Sequence, residues 1–152
     1  MQKILSTDDY INGILQKDRI ILSKAITLIE STRKEDEAIA NVVLEACLKS
    51  KKKSHRIAIS GAPGAGKSTF INAFGSLLLD NNYSLAVLAV DPSSSISKGS
   101  ILGDKTRMED LVRYENCFIR PTASSNNLGG VARSTRETIL LCEAFGFDYI
   151  FV

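Results

Sequence analysis

Three glycines, a lysine and two hydroxyl residues stand together in this chain at a spacing that suits phosphate chemistry. They form the segment Gly61-Ala62-Pro63-Gly64-Ala65-Gly66-Lys67-Ser68-Thr69, which fits the pattern G-x-x-x-x-G-K-[ST]. Glycines let the main chain approach a phosphate closely, and the backbone N–H groups of such a loop surround a β-phosphate. Lys67 can then reach the β- and γ-phosphates, and the Ser68 hydroxyl can bind Mg²⁺. The sequence therefore predicts a nucleotide-binding loop.

The segments on either side of the loop are those that phosphate binding requires. Arg56–Ser60 is typical of a short buried strand, and residues from Lys67 to about Leu79 carry apolar side chains at helical spacing. The order strand, loop, helix places a phosphate at a helix N-terminus, where unpaired N–H groups and the helix dipole favour anions. This context makes a glycine-rich turn that merely connects two elements the weaker alternative.

Strands and helices alternate from Arg56 onward. The further segments are a strand Leu85–Val90, a strand Cys117–Arg120 that Pro121 is expected to stop, a helix from about Val131 to Ala144, and a strand Tyr149–Val152. Strands separated by helices favour parallel pairing. The expected fold is therefore an α/β P-loop nucleotide-binding domain, a parallel sheet with flanking helices.

A helical segment precedes that domain. Ser6 or Thr7 can cap a first helix, Asp18 a second, and a third runs from about Glu35 with apolar residues at core spacing. We predict an N-terminal helical extension over residues 1–53 and a P-loop domain over residues 54–152. The apolar face of the extension either packs against the next domain, which we favour, or docks a partner.

Two aspartates are candidates for metal or switch roles, and a third, Asp148, is not. Asp91 ends the second strand, at the sheet edge where ligands bind in such folds, so its carboxylate is a candidate for holding Mg²⁺ directly or through water. The alternative for Asp91 is a turn or cap ahead of Pro92. Asp104 lies at the end of a long polar loop and is a candidate for a switch that responds to the γ-phosphate; the alternative is the N-cap of a helix, and both roles can hold together. Asp148 precedes the fourth strand, so we expect it at the opposite edge.

Composition excludes several classes of function. The chain has 152 residues, a formal net charge of +2 and 24% charged residues, so no strong field points to nucleic acid or a membrane. The basic cluster between Lys49 and Arg56 is expected to complement the C-terminal dipole of a helix. The N-terminus lacks the features of a signal or transit peptide, and no apolar run is long enough to cross a bilayer.

Cysteine usage favours a reducing compartment. Cys47, Cys117 and Cys142 are odd in number, widely spaced and set in apolar runs. This arrangement fits neither a disulfide framework nor a paired metal motif, and it is typical of reduced core residues. We expect a cytoplasmic protein.

Several segments together resemble the methylmalonyl-CoA mutase-associated GTPases of the MeaB/ArgK type. Beyond the loop, the matching segments are Val90-Asp91-Pro92-Ser93-Ser94, Gly99-Ser100-Ile101-Leu102-Gly103-Asp104-Lys105-Thr106-Arg107-Met108, Phe118-Ile119-Arg120-Pro121, Leu128-Gly129-Gly130-Val131-Ala132 and Thr135-Arg136-Glu137-Thr138. The segment around Asp104 is far more specific than the loop motif, and the resemblance covers nearly the whole chain.

The resemblance implies a GTP-binding and GTP-hydrolysing metallochaperone. Such a protein assists the adenosylcobalamin-dependent methylmalonyl-CoA mutase in cofactor loading and protects it from inactivation. By analogy, residues from Gly61 to Thr69 hold GTP or GDP, Ser68 and Asp91 bind Mg²⁺, and Lys67 and Asp104 act in catalysis. Full-length relatives are expected to be homodimers.

Relatives of this type continue past the Val152 strand with a switch segment, an Asn-Lys-x-Asp motif that selects guanine and a dimerisation region. We therefore expect this chain to be the N-terminal part of such a protein. One alternative is a nucleotide-binding module without turnover. Another is an ATPase or kinase linked to basic amino-acid transport, which no residue here supports. A nickel-insertion GTPase is disfavoured because the chain has one histidine, His55.

Overall fold

The computed structural model describes residues 5–50, 52–91, 108–123 and 133–152, in which three helices come first and strands alternate with helices after them. In chain order they are α1 (Thr7–Leu15), α2 (Arg19–Glu30), α3 (Lys34–Leu48), β1 (His55–Ile57), α4 (Lys67–Asp80), β2 (Leu85–Asp91), α5 (Glu109–Val112), β3 (Cys117–Ala123), α6 (Arg133–Phe145) and β4 (Tyr149–Phe151). The chain divides into two compact units, with a first boundary between Lys53 and Ser54.

The first unit consists of helices. It contains α1, α2 and α3 together with α6, and every pair of these four helices is in contact. These helices carry fully buried side chains, namely Ile14, Leu22, Ala25, Ile26 and Leu141. We expected α6 in the domain over residues 54–152, because alternation along the chain does not reveal that this distant helix packs with the N-terminal helices.

The predicted helix caps of this unit are present. Ser6 Oγ accepts a hydrogen bond from the backbone N–H of Asp9 at 3.2 Å, and Asp9 Oδ2 accepts one from the backbone N–H of Ser6 at 2.9 Å. Asp18 Oδ1 accepts from the N–H groups of Ile20 and Ile21 at 2.8 and 3.1 Å. These contacts satisfy N–H groups that have no partner within the helix.

The second unit is built on a four-stranded sheet in the order β1-β4-β2-β3, and every pairing is parallel. Helices α4 and α5 pack on it through a core that includes Leu79, Leu85, Val87, Leu111 and Phe151. The ring of Phe151 stacks on that of Phe74 in α4, with the ring centres 5.6 Å apart. The expected α/β fold with a parallel sheet is thereby confirmed.

Strand β3 corrects one prediction, because it continues through Pro121 to Ala123 instead of stopping before the proline. Within the described sheet β3 pairs only with β2, with Pro121 opposite Ala89. Proline lacks the N–H that a ladder needs, but an edge strand tolerates it when that position faces away from the neighbour. The prediction was wrong because it treated the proline without knowing where the strand lies in the sheet.

The three cysteines are free thiols with buried side chains, as predicted. Burial raises the pKa of Cys47 to about 11, and burial followed by the charge of Glu143 raises that of Cys142 further. Among the described helices, none combines the length and the apolar character needed to cross a membrane.

Candidate nucleotide-binding site

The predicted phosphate-binding loop begins just beyond the ends of β1 and β4, and hydrogen bonds to Val152 hold the residues that lead into it. The backbone N–H of Val152 donates to Ile57 O at 3.0 Å, and that of Ile59 donates to Val152 O at 2.8 Å. These bonds continue the β1–β4 ladder beyond the last regular pair, Ile57 with Phe151. The chain therefore enters Gly61 from a fixed direction.

Two glycines of the loop adopt backbone angles that disfavour other residues. Gly64 has φ +79° and Gly66 φ +87°, and a Cβ at either position would meet nothing within 4 Å. The positive φ angle, and not a lack of room for a side chain, is therefore what favours glycine at these two positions. Gly61 differs: a Cβ on it would lie 3.7 Å from Ala65 Cβ and from Lys67 Cδ, which is ordinary contact.

Helix α4 starts directly after the loop. Its N-cap is Gly66, which has no side chain to cap it, and no side chain of the described residues caps this end with a hydrogen bond. The bond from the N–H of Phe70 to Gly66 O, at 2.9 Å, closes the first helical turn. The N–H groups of Lys67, Ser68 and Thr69 precede it and have no partner within the helix. Together with the dipole, they make this end attractive to an anion.

Lys67 folds back over the loop that precedes it. Its ammonium donates to Gly61 O at 2.6 Å and to Ala62 O at 2.9 Å. Both partners are neutral carbonyls, so the positive charge has no counter-charge in these bonds. The side chain is half-buried, and its cation stands at the same end of α4 as the free N–H groups. The loop thus combines a cation with several backbone donors.

The two candidate metal residues lie on neighbouring elements of the second unit. Ser68 is half-buried in the first turn of α4. Asp91 is the last residue of β2 and stands opposite Ala123 in the register. Because all strands are parallel, their carboxyl ends share one edge, which is also where the loop leaves β1. Asp104 falls outside the described residues.

Asp148 lies at the opposite edge, as predicted, and it ties together the starts of two strands. Its Oδ2 accepts hydrogen bonds from the N–H and the hydroxyl of Ser84, at 2.8 and 2.7 Å. In return the N–H of Asp148 donates to Ser84 Oγ at 3.0 Å. No group of three or more His, Cys, Asp or Glu side chains suited to a metal occurs among the described residues.

Sequence reasoning missed one polar pair beside the loop. Asn72 in α4 donates from Nδ2 to Asp110 Oδ2 in α5 at 2.6 Å. Asn72 lies four residues after Ser68 and therefore on the same face of the helix. The two members of the pair are 38 residues apart in the chain, so no local pattern connects them.

A parallel sheet, a loop with two left-handed glycines, and a helix whose N-terminus presents free donors beside a lysine define the class of P-loop nucleotide-binding proteins. Comparison with known families narrows the class. The family model of the methylmalonyl-CoA mutase-associated GTPase MeaB matches residues 22–152. This chain belongs to the MeaB family of GTPases.

Individual relatives agree with this assignment. The chain is 48% identical to GTPase ArgK of Escherichia coli over 142 residues, which are 93% of this chain and 43% of that protein. It is 46% identical to the mouse protein named methylmalonic aciduria type A homolog, mitochondrial, covering 95% of this chain and 37% of the relative. The chain thus spans less than half the length of these curated relatives.

A solved structure shares the fold. It is described as the crystal structure of LAO/AO transport system kinase, and it superposes with a TM-score of 0.79 at 35% sequence identity. The match covers 99% of this chain and 44% of that chain.

Proposed function

We propose that this chain binds GTP and GDP together with Mg²⁺ through residues 61–69. We further propose that it is the N-terminal part of a cytoplasmic GTP-hydrolysing metallochaperone that assists an adenosylcobalamin-dependent methylmalonyl-CoA mutase in cofactor loading and protection. The observation that carries the proposal is the uncapped N-terminus of α4 beside the Lys67 ammonium. Membership of the family and the mutase named in its description support the second part.

The contacts of Lys67 suggest how the loop receives phosphate. Before binding, its ammonium is held by two neutral carbonyl oxygens. Phosphate oxygens carry negative charge and make stronger, charge-assisted hydrogen bonds, so Lys67 exchanges its partners when a nucleotide arrives. The N–H groups of Lys67, Ser68 and Thr69 need no rearrangement because the helix already aims them at the loop. Lys67 then stabilises charge that develops on the phosphates during hydrolysis.

The residues present fit a bound Mg²⁺. The Ser68 hydroxyl supplies a hard oxygen ligand in the first turn of α4, and Asp91 belongs to the strand end at the same edge of the sheet. When bound, Mg²⁺ neutralises charge on the phosphates. Asp104 completes the proposed set as a residue of the switch region.

Nucleotide binding can be tested directly with this chain. We expect a fluorescent GDP analogue to bind with Mg²⁺, and Lys67→Ala to weaken binding by about 100-fold, because roughly 3 kcal/mol of charged hydrogen bonding is lost. Lys53→Ala is the matched control, since it removes an exposed lysine outside the loop. Equal binding by wild type and Lys67→Ala would refute the proposal. Competition between unlabelled GTP and ATP then tests the choice of base.

Turnover requires a separate experiment. The assay is a single turnover with protein in excess over GTP. Hydrolysis by wild type that is lost in Lys67→Ala supports the hypothesis that this chain is a GTPase. Binding without hydrolysis supports the alternative of a binding module. The chaperone role is tested by measuring whether the full-length protein changes the loading of a methylmalonyl-CoA mutase with adenosylcobalamin.

A further inference from the structure

The two ends of the Asn72 side-chain amide have different environments. Its Nδ2 donates to Asp110 Oδ2 at 2.6 Å, while its Oδ1 is buried and has no hydrogen-bond partner among the described residues. A buried acceptor without a partner destabilises the folded state. Such an atom can accept a hydrogen bond from a further donor.

Asp110 determines which way the Asn72 amide faces. A carboxylate only accepts hydrogen bonds, whereas an amide has a donating and an accepting end. The amide must therefore turn its NH₂ group toward Asp110, which leaves Oδ1 on the buried side. Asp110 itself is placed by α5, where the neighbouring Leu111 is fully buried in the core of the second unit. The orientation is thus enforced from outside the helix.

The position of Asn72 on α4 points to the missing donor. Ser68 lies four residues earlier, so the two side chains are neighbours on one face, with β-carbons about 5–6 Å apart. Side chains on a helix lean toward its N-terminus, which brings the Asn72 amide over the turn that contains Ser68. A serine hydroxyl that gives a lone pair to a cation must direct its proton elsewhere, and the cation makes that proton a stronger donor.

We propose that Asn72 is a positioning residue for the divalent cation: its Oδ1 accepts the proton of the Ser68 hydroxyl when Ser68 binds the metal, and Asp110 holds the amide in that orientation. This inference rests on the proposed function, because it requires Mg²⁺ at Ser68. It assigns a role to two residues that lie outside the loop motif. Removal of such outer partners lowers metal affinity by about 10–100-fold in other sites.

The test separates metal binding from nucleotide binding. A fluorescent GDP analogue is titrated into the chain with EDTA and then at increasing Mg²⁺. For Asn72→Ala we expect the affinity for the analogue in EDTA to match that of wild type. The Mg²⁺ concentration that produces half of the maximal change in this affinity should rise by about tenfold. Asp110→Asn should shift it less, since an amide partner can donate as well as accept and no longer enforces one orientation.

Tyr114→Phe is the matched control. The Tyr114 hydroxyl donates to Asp80 Oδ1 at 2.6 Å, so this change also removes a hydrogen bond to α4, but two turns farther from the loop. It should leave the Mg²⁺ dependence unchanged. Equal shifts for Tyr114→Phe and Asn72→Ala, or a loss of affinity in EDTA for Asn72→Ala, would show a merely structural role and overturn the inference.

Two further outcomes remain decisive. If Asn72→Ala fails to fold, Asp110→Asn decides, and an unchanged Mg²⁺ dependence in that variant rejects the inference. If the proposed function itself is wrong, the result is different: wild type and Lys67→Ala would then bind the analogue equally.

Discussion

Replacing Gly66 with alanine tests whether backbone conformation is what the loop motif requires. Gly66 has φ +87° and is the N-cap of α4, and a Cβ there would meet no atom within 4 Å. The substitution therefore adds a methyl group in open space. Any loss of stability must come from the backbone angle, and not from a clash.

The expected magnitude follows from that angle. An L-residue in the left-handed region costs about 1–2 kcal/mol relative to glycine. For a chain of this size, 1 kcal/mol lowers Tm by roughly 2–4 °C, so Gly66→Ala should lower it by about 2–8 °C. Alternatively, residue 66 leaves the left-handed region when it is alanine, and the loop then changes its conformation. In that case the cost of about 1–2 kcal/mol appears in binding, and nucleotide affinity should fall by about 5–30-fold.

Two other variants give the experiment its controls. Gly66→Asn should cost less than Gly66→Ala, because asparagine tolerates the left-handed region. Gly61→Ala should change the stability of the free protein by less than about 0.5 kcal/mol, since its Cβ would make only ordinary contacts. Thermal and urea unfolding followed by circular dichroism measure all three. If Gly61→Ala and Gly66→Ala were equally destabilising, the conformational explanation would be refuted.

Three further predictions concern residues away from the loop. Asp148→Ala should lower the free energy of unfolding by about 1–2 kcal/mol, because the carboxylate accepts twice from Ser84, and should leave Mg²⁺-dependent nucleotide affinity intact; a lowered affinity would contradict its place at the opposite edge. Asp18→Ala should cost about 1 kcal/mol in urea unfolding and Asp18→Asn much less, and equal losses would count against capping as the cause. Burial raises the pKa of Cys47 from 9.0 to about 11, so the unfolded chain loses this proton at a lower pH than the folded protein does. The free energy of unfolding should therefore be constant with respect to this thiol below pH 9 and decline toward pH 11. The same decline in Cys47→Ala would exclude this thiol as its source.

Local periodicity predicted most of the elements of both units. Helix α4 was expected from Lys67 to about Leu79 and ends at Asp80, while the strand expected to end at Val90 ends at Asp91. These predictions succeeded because buried apolar residues repeat at the period of the element they belong to. Pro121 shows the limit, since its effect depends on the position of β3 at the edge of the described sheet, which no local pattern contains.

The candidate site was predictable only where one continuous motif carries it. The motif fixes Gly61 and Gly66 and leaves position 64 open, whereas in the structure it is Gly64 and Gly66 that have positive φ angles, of +79° and +87°. Asn72 and Asp110 were missed because each is an ordinary polar residue in its own segment. Their significance arises from a contact across 38 residues, together with an oxygen that the pairing leaves buried and without a described partner.

The loop geometry depends on residues that the motif does not contain. Ile59, two residues before Gly61, is held by the carbonyl of Val152, and Ile57 accepts from the N–H of Val152 in return. The Lys67 ammonium then reaches the carbonyls of Gly61 and Ala62, whose position follows from that anchoring. The motif itself does not contain the strand that provides these bonds. The conformation of the loop therefore depends on β4 as well as on the residues of the motif.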